Sequence, residues 1–72
     1  MTVSLITARR PSEVAREVER LVRDGNRRFV ISSVDRGGML DQERLGAARY
    51  AAGVQSKVEL GAERPVVIAA AR

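Results

Sequence analysis

Two short β-type runs bracket a stretch of helical period, and that arrangement restricts the topology more than any other feature of the chain. Residues 2–7, TVSLIT, are rich in β-branched side chains, and residues 27–34, RRFVISSV, form a second run of β-type. Between them, within residues 13–24, Val14, Ala15, Val18, Leu21 and Val22 recur at the spacing of one helix face. A helix joining two strands of one sheet is a crossover, so these two strands are expected to be parallel and the connection right-handed. Pro11 holds Arg10 out of helical geometry, and Ser12 reads as the cap of a helix starting at Glu13. Glu13 and Glu17 near its start, and Arg20 and Arg23 near its end, complement the helix dipole. Glu19 and Arg23 form an i,i+4 pair in the favoured order, and Gly25 occupies the stop position.

In the 27–34 run, Phe29 and Ile31 point one way and Val30, Ser32 and Val34 the other, as in a central strand apolar on both faces. DRGG at 35–38 is a turn. Residues 42–52, QERLGAARYAA, read as a second helix, with Asp41 as its cap, Gly53 as its stop, and Leu45, Ala48 and Ala52 on one face. Gly46 weakens it, since an interior glycine costs about 1 kcal/mol relative to alanine. Residues 54–60, VQSKVEL, alternate as a half-exposed strand; 66–71, VVIAAA, is another β-type run, and GAERP between them closes a hairpin. The expected fold is α+β: a single domain over residues 1–72, a two-layer βαβαββ sandwich with two helices on one face of a four-stranded mixed sheet. The other sheet face is then either polar or covered by a partner. A chain of 72 residues buries only about 60% of its unfolded surface, and small domains often complete their core with a partner. A homodimer, or docking on a larger protein, follows as an expectation.

The chain has no cysteine and no histidine. Disulfides, thiol catalysis, Cys-type zinc sites and the usual general base go with them. Ser32 and Ser33 have no base in sequence to activate them. Asp35, Asp41 and Glu43 lack the alternating ligand spacing of a calcium loop, and DRGG lacks the full GxxxxGK[ST] or GxGxxG pattern. No enzyme, metal or cofactor is therefore expected. No run approaches the ~18 apolar residues of a membrane span, and MTVSLITARR does not have the form of a signal peptide, so a soluble cytoplasmic protein is expected.

Charge carries the functional expectation. There are 13 Lys+Arg against 9 Asp+Glu, a net charge of +4, and Lys57 is the only lysine. The arginine fork suits phosphate, but a chain rich in Ala, Val and Gly fits a GC-rich coding sequence, which favours arginine for its own reasons. The sign of the charge, rather than the choice of arginine, points to an anionic partner. With the first two strands parallel, Arg9, Arg10 and Arg36 leave the sheet at one end and Arg27 and Arg28 enter at the other. The expected phosphate-binding set is Arg9, Arg10 and Arg36, assisted by the N–H groups of Gly37 and Gly38 and by Arg64 in the hairpin. The plainer alternative is that these are solvated loop arginines, some paired with Asp35 or Glu13. With Phe29 and Tyr50 the only aromatics, backbone contact is expected rather than base stacking. The competing expectation is a protein-interaction or accessory subunit, for instance virus-encoded, whose charge serves solubility; Tyr50, Val30 and residues 66–71 are then interface candidates.

The element order, and VISSVDRGGML followed by DQERLGAARYAA within residues 29–52, resemble the Alba family of small basic nucleic-acid-binding proteins. Chains of that family run strand, helix, strand, RG-type turn, helix, hairpin, and the resemblance implies a non-catalytic nucleic-acid binder. Here Arg36-Gly37 is followed by Gly38, Met39 and Leu40, and the GAER hairpin carries only Arg64. The same order and length also resemble the TusA-like sulfur carriers, which carry sulfur on a cysteine in a Cys-Pro motif before the first helix. That place reads Arg9-Arg10-Pro11-Ser12, so the resemblance implies at most the binding surface of such a carrier, without its thiol.

Overall fold

In the computed structural model, which describes residues 3–61, the chain runs β1 (Ser4–Ile6), α1 (Pro11–Arg23), β2 (Arg28–Ile31), α2 (Met39–Ala52) and β3 (Lys57–Leu60). The strands form one sheet in the order β1-β2-β3, and both pairings are parallel. Each helix is the crossover that a parallel pairing requires. The first pairing is the one expected from the sequence. The four-stranded mixed sheet is corrected to three parallel strands among the described residues. The expected hairpin and fourth strand, 66–71, lie outside the described residues, as does Arg64.

The register aligns Ile6 with Ile31, and Phe29 with Val58. Alternation along each strand therefore puts Ile6, Phe29, Ile31 and Val58 on one face. They form a single core with Val14 and Val18 of α1 and Leu45, Ala48 and Ala52 of α2. Both helices thus cover the same face and pack side by side, giving a two-layer α+β arrangement. Full burial of a side chain such as Ile6 or Phe29 contributes about 1.5–3 kcal/mol, and the small Ala48 and Ala52 let α2 lie close.

The helix starts differ from the sequence expectation. α1 begins at Pro11, with Arg10 rather than Ser12 at the cap position and no side-chain cap. Proline suits the first helical position because its φ is already helical and it has no N–H to leave unpaired. α2 begins at Met39, with Gly38 at its cap position. Its capping side chain is Asp35, not Asp41: the Asp35 carboxylate accepts N–H bonds from Leu40 and Asp41, each at 3.0 Å. That carboxylate fills the space beside Gly38, where a Cβ would meet Asp35 Oδ2 at 2.7 Å. β3 starts three residues later than expected because Gly53, at φ 86 and ψ 171, breaks the chain into a turn before Lys57. β2 is shorter at both ends, beginning at Arg28 and ending at Ile31, after which the chain bends into the loop described next.

Candidate functional site

The loop between β2 and α2 closes around a carboxylate. Asp41, wholly buried in the first turn of α2, points back toward it. Its carboxylate accepts the Ser33 hydroxyl and the backbone N–H groups of Val34 (2.8 Å), Gly37 (2.6 Å) and Asp35 (3.4 Å). Such a nest of N–H groups is the geometry that elsewhere receives an anion. Burial pushes the Asp41 carboxyl up, but the bonds from Ser33 and from the Val34, Gly37 and Asp35 N–H groups outweigh it and hold the group well below the usual carboxylate range.

Arg44, three residues on and equally buried, completes the arrangement. Its guanidinium donates to Asp41 Oδ1 at 3.3 Å, to the Ala8 carbonyl after β1 and to the Ser32 carbonyl after β2. One planar fork thereby ties α2 to the ends of two strands, and no buried side-chain polar atom among the described residues lacks a partner. The Ser33–Asp41 pair is not a nucleophile with its base: a carboxylate held this strongly in its ionised form has little tendency to take a proton near neutrality. Among the described residues, no group of three or more Asp or Glu side chains is placed to hold a metal ion, and no helix is long and apolar enough to cross a membrane.

The structure brings Arg9, Arg10 and Arg36 to the same, carboxyl end of the parallel strands, all three exposed. Arg36 sits at φ 55 in the loop around Asp41. The two glycine donors at this end are occupied internally: Gly37 N–H by Asp41, and Gly38 N–H by the Asp35 carbonyl at 3.0 Å. Neither N–H group is open to an anion, and the cations at this end are the arginine side chains. They share this end with the exposed acidic residues Glu13, Asp35 and Glu43, in the loop and the first five residues of each helix.

The opposite end is different. The last five residues of each helix, the loops that follow, and the first residues of β2 and β3 carry Arg20, Arg23, Arg27, Arg28, Arg49 and Lys57, all exposed, with Glu19 and Asp24 in the same segments and Glu17 and Glu59 just beyond them. The helix dipoles account for Arg20, Arg23 and Arg49, which stand in the last turns. They do not account for Arg27, Arg28 and Lys57, which belong to no helix. These three are held together by the sheet: the Lys57 N–H donates to the Arg27 carbonyl at 2.8 Å, and Arg28 and Lys57 are register partners on the face away from the helices. Arg20 and Lys57 make 3.4 Å ion pairs with Glu17 and Glu59, but both are in water and contribute little.

Beside this basic end lies an open groove of about 530 Å³ between the end of α2 and the start of β3, lined by Arg49, Tyr50, Gly53, Val54, Ser56, Lys57 and Val58. The sheet face away from the helices is open on its β1 side, while Gly61 lies against Val30. It presents Leu5, Val30 and Glu59 in one row, with Val3 and Leu5 each half exposed. Compared with known proteins, the chain matches no family model, no curated protein and no solved structure.

Proposed function

We propose that this chain is a non-catalytic nucleic-acid-binding protein that grips the phosphate backbone with arginine and lysine side chains. The observation that carries the reading is the gathering of six exposed cations at the amino end of the strands, in excess of Glu19 and Asp24 there and of Glu17 and Glu59, which pair with Arg20 and Lys57. Charge excess of that kind releases counterions on binding and gives affinity that falls with salt. On this reading Arg27, Arg28 and Lys57 are the principal contacts, and Arg9, Arg10 and Arg36, among their carboxylates, are secondary ones. A salt titration of binding to mixed-sequence duplex DNA and RNA tests it. Binding at low salt that weakens linearly on a log–log plot is expected; no binding at low salt with excess protein overturns the reading.

A second reading, a protein-interaction or accessory subunit whose charge serves solubility, draws on a different observation. All-parallel sheets are nearly always covered on both faces, and here one face leaves Val3 and Leu5 each half exposed. A second copy of the chain is the simplest cover. Sedimentation equilibrium across a range of protein concentrations checks it: self-association that Leu5→Glu abolishes supports the dimer, and a monomer at every concentration rejects it.

A further inference from the structure

Tyr50 carries the inference. It stands near the end of α2 and is 92% exposed, so its ring packs on nothing that stability requires. Val54, four residues on, is fully exposed as well. The two stand on a groove floored by the buried Val58, and Arg49 and Lys57 line the same groove. An isolated exposed aromatic is ordinary surface. An exposed aromatic and an aliphatic side chain in one groove, flanked by two cations and continuous with the most basic part of the molecule, have a definite complement: a flat apolar ring attached to an anionic chain.

We infer that this groove receives an unpaired base of single-stranded nucleic acid, the base stacking on Tyr50 beside Val54 while Arg49 and Lys57 contact the flanking phosphates. The inference rests on the nucleic-acid reading above and narrows it to single strands at this position. The volume, about 530 Å³, lies within the roughly 300–1,000 Å³ of clefts that hold small ligands. A duplex keeps its bases paired and stacked, so it offers the tyrosine no ring face; a single strand offers one at every nucleotide. Stacking of this kind is tolerant of sequence, as befits a groove with few groups placed to read a base edge.

The chain supplies its own reporter. Tyr50 is the one tyrosine and there is no tryptophan, so intrinsic emission comes from that ring. The full chain is titrated at low salt with a short oligodeoxythymidylate, its oligouridylate counterpart, an abasic oligomer of equal length and a duplex, while labelled-strand anisotropy records binding. Quenching of Tyr50 emission by the two base-bearing single strands, and not by the abasic strand or the duplex, is expected. Tyr50→Ala should weaken single-strand binding about tenfold and leave duplex binding unchanged, whereas Tyr50→Phe keeps the stacking ring and the affinity. Single-strand binding with unchanged emission, or equal single-strand affinity of Tyr50→Ala and the wild type, overturns the inference and leaves phosphate binding standing. Absence of binding to all four probes removes both.

Discussion

A single buried arginine joins α2 to the ends of two strands. Arg44 reaches one carboxylate and the carbonyls that follow two strands, and Asp41 in turn organises the loop from Ser33 to Gly37. Removing one member of a buried pair strands the other, at a cost of about 3–5 kcal/mol. That is a large part of the roughly 5–15 kcal/mol that holds a small domain folded. Arg44→Ala and Asp41→Ala should each lower the urea midpoint sharply, and Arg44→Lys should not restore it, because an ammonium cannot span the same acceptors. Asp41 also makes stability depend on pH. Its folded-state pKa lies below that of the unfolded chain, where aspartate titrates near about 3.9. Its contribution is therefore complete above about pH 5 and is lost as pH falls toward the folded value. The urea midpoint should fall on acidification over that window, and the fall should be shallower in Asp41→Asn. The pair was partly legible in sequence: Asp41, Arg44, Leu45, Ala48 and Ala52 share one helical spacing. In sequence Asp41 reads as a cap and Arg44 draws no reading of its own, because charges go inside only where acceptors from other segments wait for them.

At the level of the elements, the glycine inside α2 and the one that ends it have opposite roles. Gly46 is exposed in mid-helix, and a Cβ there would meet nothing within 4 Å. Gly46→Ala should stabilise the protein by about 0.5–1 kcal/mol, since it removes chain entropy without a clash. Gly53 also has open space around it, but its φ 86 and ψ 171 lie in a region that essentially only glycine occupies. Gly53→Ala should cost about 1–3 kcal/mol, all of it backbone strain. Thermal unfolding of the two variants checks both signs at once. The periodicity of α1 and α2 was readable, and so was the alternation of strand with helix. Their first residues were not. α1 opens at Pro11 and α2 at Met39, where polar caps were expected at Ser12 and Asp41; for α2, Asp35 from within the preceding loop supplies the N–H acceptor.

Across the whole molecule, parallel pairing sorts the charges. Among the described residues every strand starts at one end and every helix ends there, so residues distant in sequence, such as Arg28, Arg49 and Lys57, gather together. Replacing Arg27, Arg28 and Lys57 by Ala should reduce the magnitude of the logarithmic salt slope of nucleic-acid binding by about 3, on the basis of roughly one counterion per phosphate contact. The same change at Arg9, Arg10 and Arg36 should reduce it less, because nearby carboxylates already lower the potential at that end. Slopes measured for both triple variants against the wild type decide between the two ends.

Local information was sufficient for the helix–strand alternation, the parallel pairing of the first two strands and the apolar stripe of α1, because spacing within a segment reports which face meets the core. The basic sign of the chain was equally plain, as was the lack of cysteine and histidine. The burial of Arg44 and Asp41, the occupation of the Gly37 and Gly38 N–H groups, and the concentration of cations at the strands' amino end appear only once the segments are packed. Each depends on partners from other segments: the carbonyls of Ala8 and Ser32 for the arginine, a carboxylate on the next helix for Gly37, and the starts of neighbouring strands for the cations. A sequence lists charges in order along the chain, whereas desolvation and Coulomb energy depend on distance in space.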